Sequence, residues 1–382
     1  MPREGTAPIR KRKVFYVMGF DPRGTPFYHA QLKREARISK KRGFSTLDVG
    51  PLEQSWAHGH ECRCKASANR IDIDITYHFL SIIDIVAGYF ELPLRRRIAA
   101  SLILFARALL SPFWIKGALH APKFSAFALY PYFVLMAGPA LGIVAAIATR
   151  ETTGSALLAV FASLLTLTAS LVLIVRYEHR LFVLYLLGDF LFSCTAISVP
   201  GTALTERLSA FSSEISNALR ASSEDEEILI VGHSSGALLA IQVAASVARI
   251  SPPHLLSRLS LLTLGNQASL VYFPGTHGIR KDINAVVQAN AIAWRDIFAP
   301  QDVISSGRFD FVEKLEIIKP KASGYHLHSA RFKEALTPAT YSRLRHSFLK
   351  LHMQYLRANE TGRGFNYFAV LESSARLSKL HF

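Results

Sequence analysis

Apolar and polar positions along this chain follow two different rules. In the first ninety residues and again after about residue 200, apolar residues come in short runs broken by polar, glycine- and proline-containing segments. Between them the apolar sequence hardly stops. In the outer parts, "VFYVMGF" (Val14 to Phe20) reads as a short buried strand, and Ile71 to Leu80, "IDIDITYHFL", opens with the strict alternation of a strand. "EILIV" (Glu227 to Val231), "LSLLTLG" (Leu259 to Gly265), "WRDIF" (Trp294 to Phe298) and "FVEKLEII" (Phe311 to Ile318) are further strand candidates. Helical periodicity covers Phe27 to Arg42, Thr202 to Ala221, Ala237 to Ala248, Ile283 to Ala293, and a long stretch from Pro338 to Ala358 with Thr337 placed to cap it. Alternating strand and helix predicts an α/β fold, a doubly wound and mostly parallel sheet with helices on both faces.

The middle breaks this pattern. Residues 124–149, "FSAFALYPYFVLMAGPALGIVAAIAT", carry no charge, and neither do residues 152–175, "TTGSALLAVFASLLTLTASLVLIV". A helix of about 20 apolar residues crosses the hydrocarbon core, so each run is long enough. Tyr130, Pro131 and Tyr132 are tolerable there, because proline disrupts a membrane helix less than a helix in water. Joined only by Arg150 and Glu151, the two runs predict a helical hairpin; a pair of buried core helices is the alternative. Arg95, Arg96, Arg97, Arg107, Lys116 and Lys123 precede the hairpin, Arg176 and Arg180 follow it, and Arg150 stands alone at the tip. That bias puts both ends and the polar sequence on the cytoplasmic side of a multi-pass membrane protein, at the inner membrane in a bacterium. The flanks Arg95 to His120 and Leu181 to Val199 are apolar but interrupted, the second by Asp189. Each reads equally well as an interfacial amphipathic helix or as a helix packed on the globular part. The chain thus divides into 1–94, an insertion at 95–199, and 200–382.

Composition adds little to this division. The 382 residues are 50% hydrophobic with a formal net charge of +16. The positive charge gathers near the apolar runs and the amino terminus, and no aromatic stacking platform accompanies it. This favours an anionic membrane surface over nucleic acid as partner. Cys62, Cys64 and Cys194 make no disulfide framework, which fits a reducing compartment. The first residues are basic with only a short apolar run before Asp21, unlike a secretory signal.

One motif carries chemistry. "ILIVGHSSGA" sends an apolar run into Gly232-His233-Ser234-Ser235-Gly236, which fits G-x-S-x-G. The spacing suits a tight strand-to-helix turn: small flanks let the backbone fold sharply and hold the Ser234 oxygen clear of the sheet. The following helix directs its positive end at any developing oxyanion. A serine nucleophile needs a base, and the base an orienting acid. Asp302, in the turn "FAPQDVIS" after a strand, is the best-placed acid. Asp296 lies inside that strand, and Asp310 sits at the start of the next. For the base, His352 on "SFLKLHMQYL" lies near the apolar stripe of Phe348, Leu351 and Tyr355, where a histidine needs a reason. His326 and His328, in "GYHLHSARF", are the alternatives, and His346 falls on the polar side. The oxyanion donors would be the backbone N–H groups of Ser235 and of Phe20, in the loop "VMGFDPRG" after the first strand.

The order strand-"GFDPRG", "VGHSSGA", "APQDVIS" and late histidine resembles the α/β-hydrolase superfamily, in particular its serine esterase and lipase-like members. The resemblance covers most of residues 14–90 and 200–358. It implies that Ser234 is a nucleophile, Asp302 its acid and His352 or a neighbour its base. It further implies ester hydrolysis through an acyl-enzyme, on a lipid or another acylated amphiphile, without a cofactor or metal. The insertion departs from the pattern by preceding the nucleophile strand. Two rivals stand beside this reading. One is a catalytically inactive hydrolase-fold scaffold at the membrane. The other is zinc at "AHGHECRC", where His58, His60, Cys62 and Cys64 alternate, although C-x2-C spacing is absent.

Overall fold

A computed structural model describes residues 8–68, 70–321 and 323–382. Among these, nine strands form one mixed sheet. They are β1 (Lys11–Val17), β2 (Asp48–Val49), β3 (Glu53–Trp56), β4 (Gly59–Ala68), β5 (Ile71–Leu80), β6 (Glu226–His233), β7 (Leu259–Leu264), β8 (Ala293–Phe298) and β9 (Tyr325–Ser329). The spatial order is β2-β4-β5-β1-β6-β7-β8-β9, with β3 also on β4. From β5 through β9 every pairing is parallel; β2, β3 and β4 add an antiparallel edge. The fold is therefore α/β with a mostly parallel sheet.

Burial follows from the two-residue period of a strand. Phe15 and Val17 of β1 face one core and Val14 and Tyr16 the other. Every residue of the central strand β6 is buried, which is why it reads as a continuous apolar run. Helix α1 (Gly24–Lys41) and the C-terminal segments cover one face.

The connection from β5 to β6 is a run of helices: α2 (Ile83–Glu91), α3 (Leu94–Leu109), α4 (Phe113–His120), α5 (Pro122–Thr153), α6 (Ala156–Arg176), α7 (Glu178–Leu181), α8 (Val183–Ser198) and α9 (Thr202–Arg220). Of these α8 and α9, with α10 (Ser235–Ile250) and α11 (His277–Gln288), pack on the second face. Helices α5 and α6 are long and apolar enough to cross a membrane. With 32 residues α5 is about 48 Å long, well over the ~30 Å hydrocarbon core. Large apolar side chains point outward from the pair: Phe133 is 69% exposed, Phe161 64% and Leu157 80%. No aqueous surface offers so many contiguous apolar groups without a partner phase. Twelve residues of helix α8, Asp189 included, are buried, because α8 lies between α3 and α5 of the insertion and α10 and α11 of the globular part.

Several expected elements fall elsewhere. The first strand is β1 at Lys11–Val17, three residues early, because Arg12 is buried in an ion pair with Glu227 at 2.7 Å and a basic run thereby conceals a strand start. The helix expected at Ile283 to Ala293 is α11, beginning at His277 directly after the Gly275 turn. Phe311 to Ile318 is no strand. Asp310 Oδ1 accepts the Val312 and Glu313 N–H groups and caps a helical turn at Phe311–Lys314. The last parallel strand is β9, so His326 and His328 lie in a strand rather than in a loop after one. The long helix at Pro338 to Ala358 is broken into Pro338–Leu344, capped by Thr337, then Phe348–His352 and a 3-10 turn at Met353–Leu356. Ser347, extended at φ −126° and ψ 96°, makes the break. "AHGHECRC" is a hairpin and strand β4, with the Cys62 and Cys64 sulfurs 3.7 Å apart in the core. Among the described residues no three His, Cys, Asp or Glu side chains gather as a metal site.

Candidate active site

The tight turn begins where β6 ends. Ser234 takes φ 60° and ψ −131°, a conformation a non-glycine residue adopts only under constraint. Its N–H donates to the Leu264 carbonyl at 3.0 Å, and α10 starts at the next residue. The flanking glycines are demanded by backbone, not by side chains. A Cβ on Gly236 would lie 2.5 Å from the Val17 carbonyl oxygen, and one on Gly232 would lie 2.6 Å from the Ala237 Cα. Both contacts are closer than any real Cβ tolerates, so the turn cannot form with larger residues.

Asp302 and His352 come together from distant parts of the chain. His352 Nδ1–H donates to Asp302 Oδ2 at 2.7 Å, and both side chains are buried. Asp302 Oδ1 accepts the Ile304 N–H at 3.1 Å, which fixes the carboxylate plane. His352 Nε2 is buried without a hydrogen-bond partner, and His352 and Ser234 line the same cavity of about 390 Å³. Asp296 and Asp310 are occupied elsewhere. Asp296 Oδ1 accepts from Thr263 and Asn266 at 2.7 and 2.6 Å, and Asp310 caps its turn. His326, His328 and His346 do not line the Ser234 cavity.

The two expected oxyanion donors, the Phe20 and Ser235 N–H groups, stand in different surroundings. The Phe20 N–H donates to Ser235 Oγ at 2.9 Å, so in this state it is already engaged. Tyr185 Oη–H from α8 donates to the Phe20 carbonyl at 2.9 Å. The Phe20 ring stacks on Phe90 and meets Phe192 and Tyr185, with centroids 5.3 to 5.8 Å apart. The Ser235 N–H stands at the first turn of α10, where backbone donors are unsatisfied by the helix itself.

Two residues behind the turn escape a reading by motif. His233 is buried, which pushes its imidazole well below its ordinary value, so it is neutral at pH 7. Its Nε2 meets the His352 carbonyl at 3.0 Å and the two rings lie 4.5 Å apart, so it braces the histidine it faces. The signal was in "GHSSG" itself, at a position the motif leaves free. Asp189 is the second. It accepts from Gln267 Nε2 at 2.9 Å, and burial raises its carboxyl to about 6 against the opposing pull of Gln267, of the His352 charge and of the Ser235 and Ser193 hydroxyls. A lone carboxylate in an apolar run was its only sign in the sequence. Comparison with protein-family models, with curated proteins and with solved structures returned no match for this chain.

Proposed function

We propose that this protein is a membrane-anchored serine hydrolase of the α/β-hydrolase type that cleaves an ester through an acyl-enzyme, with its catalytic part and both hairpin ends on the cytoplasmic side. The observation that carries the reading is the pair His352–Asp302, in which His352 Nε2 has no partner and His352 lines the same cavity as the strained Ser234. Chain order and sheet position of the three residues agree with a nucleophile–acid–base set of that type.

In the first step Ser234 Oγ bonds to the ester carbonyl carbon as its proton passes to His352 Nε2, and Asp302 stabilises the imidazolium. The negative charge on the carbonyl oxygen faces the Ser235 N–H and the start of α10. The carbon–oxygen bond to the alcohol then breaks, and His352 gives its proton to the departing alkoxide. Water then attacks the acyl carbon as His352 takes its proton, the bond from that carbon to Ser234 Oγ breaks, and His352 returns the proton to Oγ as the carboxylic acid leaves. Phe20 joins as a second donor once Ser235 Oγ turns away from its N–H.

Labelling of the full-length protein in detergent with a fluorophosphonate tests this. Wild type is expected to react at a single site and Ser234→Ala not at all. Asp302→Asn and His352→Gln are expected to slow labelling by roughly 10³–10⁴, while His326→Gln and His328→Gln label normally. Absence of labelling in well-folded wild type would overturn the proposal in favour of a non-catalytic membrane scaffold.

A further inference from the structure

Four charged side chains line the Ser234 cavity: Asp21, Arg23, Lys350 and Arg357. The first two neutralise one another. Arg23 Nη2 lies 2.5 Å from Asp21 Oδ2, and the same carboxylate accepts the Tyr28 hydroxyl at 2.8 Å. Arg23 also sits 3.8 Å over the Phe27 ring. The other two have no counterpart. Among the described residues neither Arg357 nor Lys350 makes an ion pair, and Arg357 Nε is buried with no acceptor. Glu35, whose charge acts on Arg357, is itself engaged by Arg34 at 2.9 Å and by the Ala358 N–H at 3.1 Å.

A half-buried guanidinium without an acceptor is costly, and its rigid fork of donors matches a carboxylate or a phosphate. Beside the polar groups of Tyr28, Tyr185, His233, Ser234 and His352, the wall has an apolar part formed by Phe182, Leu349 and Met353. From Phe182 an aromatic path leads outward. Its ring lies 5.8 Å from that of Phe348, which lies 5.3 Å from that of Phe127 in the first turns of α5. The apolar wall is thus continuous with the foot of the hairpin.

We infer that the cavity takes an anionic amphiphile, an ester whose apolar chain runs along the Phe182–Phe348 wall and whose carboxylate or phosphate is held by Arg357 and Lys350. This deepens the hydrolase reading and rests on it for the ester, though not for the anion site. A neutral ester of the same chain length leaves the buried Arg357 Nε without an acceptor, whereas Lys350, exposed at the rim, stays hydrated and adds only its charge, so neutral esters are the poorer ligands. The cavity volume suits one chain and a small head group and is at the low end for ligand sites.

The test uses full-length protein in a neutral detergent with three competitors of one chain length: dodecyl phosphate, dodecanoate and dodecanol. Protection of Ser234 from fluorophosphonate is expected at concentrations about tenfold lower for the better anion than for dodecanol, a difference of about 1.4 kcal/mol. The order of phosphate and carboxylate identifies the head group. In Arg357→Gln and in Lys350→Gln the preference is expected to shrink several-fold, and Arg357→Lys is expected to keep part of it. Equal protection by all three, or a preference unchanged in both glutamine variants, overturns the inference. Equilibrium binding of the same three compounds to unlabelled protein reads the anion site separately. Wild type that binds dodecyl phosphate or dodecanoate over dodecanol yet never labels would sink the hydrolase reading and leave the anion site standing.

Discussion

At the scale of single residues, Asp189 is the group whose state matters most outside the proposed triad. It lies under the turn that carries Ser234, bonded to Gln267 and close to the Ser235 hydroxyl that holds the Phe20 N–H. Its folded value of about 6 lies above the ordinary 3.8, so folding favours the protonated form. The stability this brings is complete below about pH 4 and is lost as pH rises through about 6, on the order of 3 kcal/mol at most. Asp189→Asn lacks the ionisation. Its stability relative to wild type is therefore expected to climb between pH 4 and pH 7 in denaturant titrations of the solubilised protein. A difference that stays flat across that range shows the carboxylate to be fully compensated where it lies. None of this could be read from the residue alone. Asp189 was visible as a break in an apolar run, but its neighbours come from residues 193, 235 and 267.

Among elements, the contact that binds the outer parts of the chain together is the pairing of β1 with β6. Arg12 and Glu227 stand opposite each other there, both side chains fully buried. Glu227 also accepts the Ser260 hydroxyl and the Leu377 N–H, each at 2.7 Å, while Arg12 reaches the Val370 carbonyl, also at 2.7 Å. The pair therefore ties three strands to the C-terminal segment. Removing one member leaves a buried charge, so Arg12→Met is expected to cost about 3–5 kcal/mol. The double change Arg12→Met with Glu227→Leu is expected to recover much of that, measured by thermal unfolding in detergent. The same physics explains why the first strand was placed three residues late: arginine and lysine read as solvent-facing unless a distant glutamate accounts for them. The break at Arg345 to Ser347 is similar. Helical periodicity continues through it, yet the extended backbone of Ser347 ends one short helix before the next, which carries His352, begins.

For the molecule as a whole, the insertion packs against the residues of the proposed site. Helix α5 begins with Lys123 Nζ donating to the Pro300 carbonyl at 2.7 Å, two residues before Asp302. Phe127 of α5 meets Phe348 on the segment of His352, and Tyr185 of α8 holds the Phe20 carbonyl. The foot of α5 thus touches the segments that carry Asp302 and His352, and α8 touches the Phe20 loop. With these contacts at the foot, the proposed spanning hairpin puts its tip near Thr152 on the opposite side of the membrane. The three native cysteines are buried and unpaired, so single cysteines can report the topology. Thr152→Cys is expected to react with an impermeant maleimide from the side opposite to Lys41→Cys. Reaction of both from one side would exclude a spanning hairpin.

The amino-acid sequence determined the features that depend on local pattern. The alternation of strand and helix, the two runs able to cross a bilayer and the small-residue turn around Ser234 are all set by neighbours within a few positions. Side-chain period and backbone sterics act at that range, so they leave a legible trace. What the tertiary structure decided depends on groups far apart in the chain. It set His352 rather than His326 or His328 against Asp302 and placed Asp189 beneath the turn. It also left Arg357 without an acceptor and engaged the Phe20 N–H with Ser235. Each of these is a matter of which polar groups lose water together, and that is fixed only when distant segments close on one another.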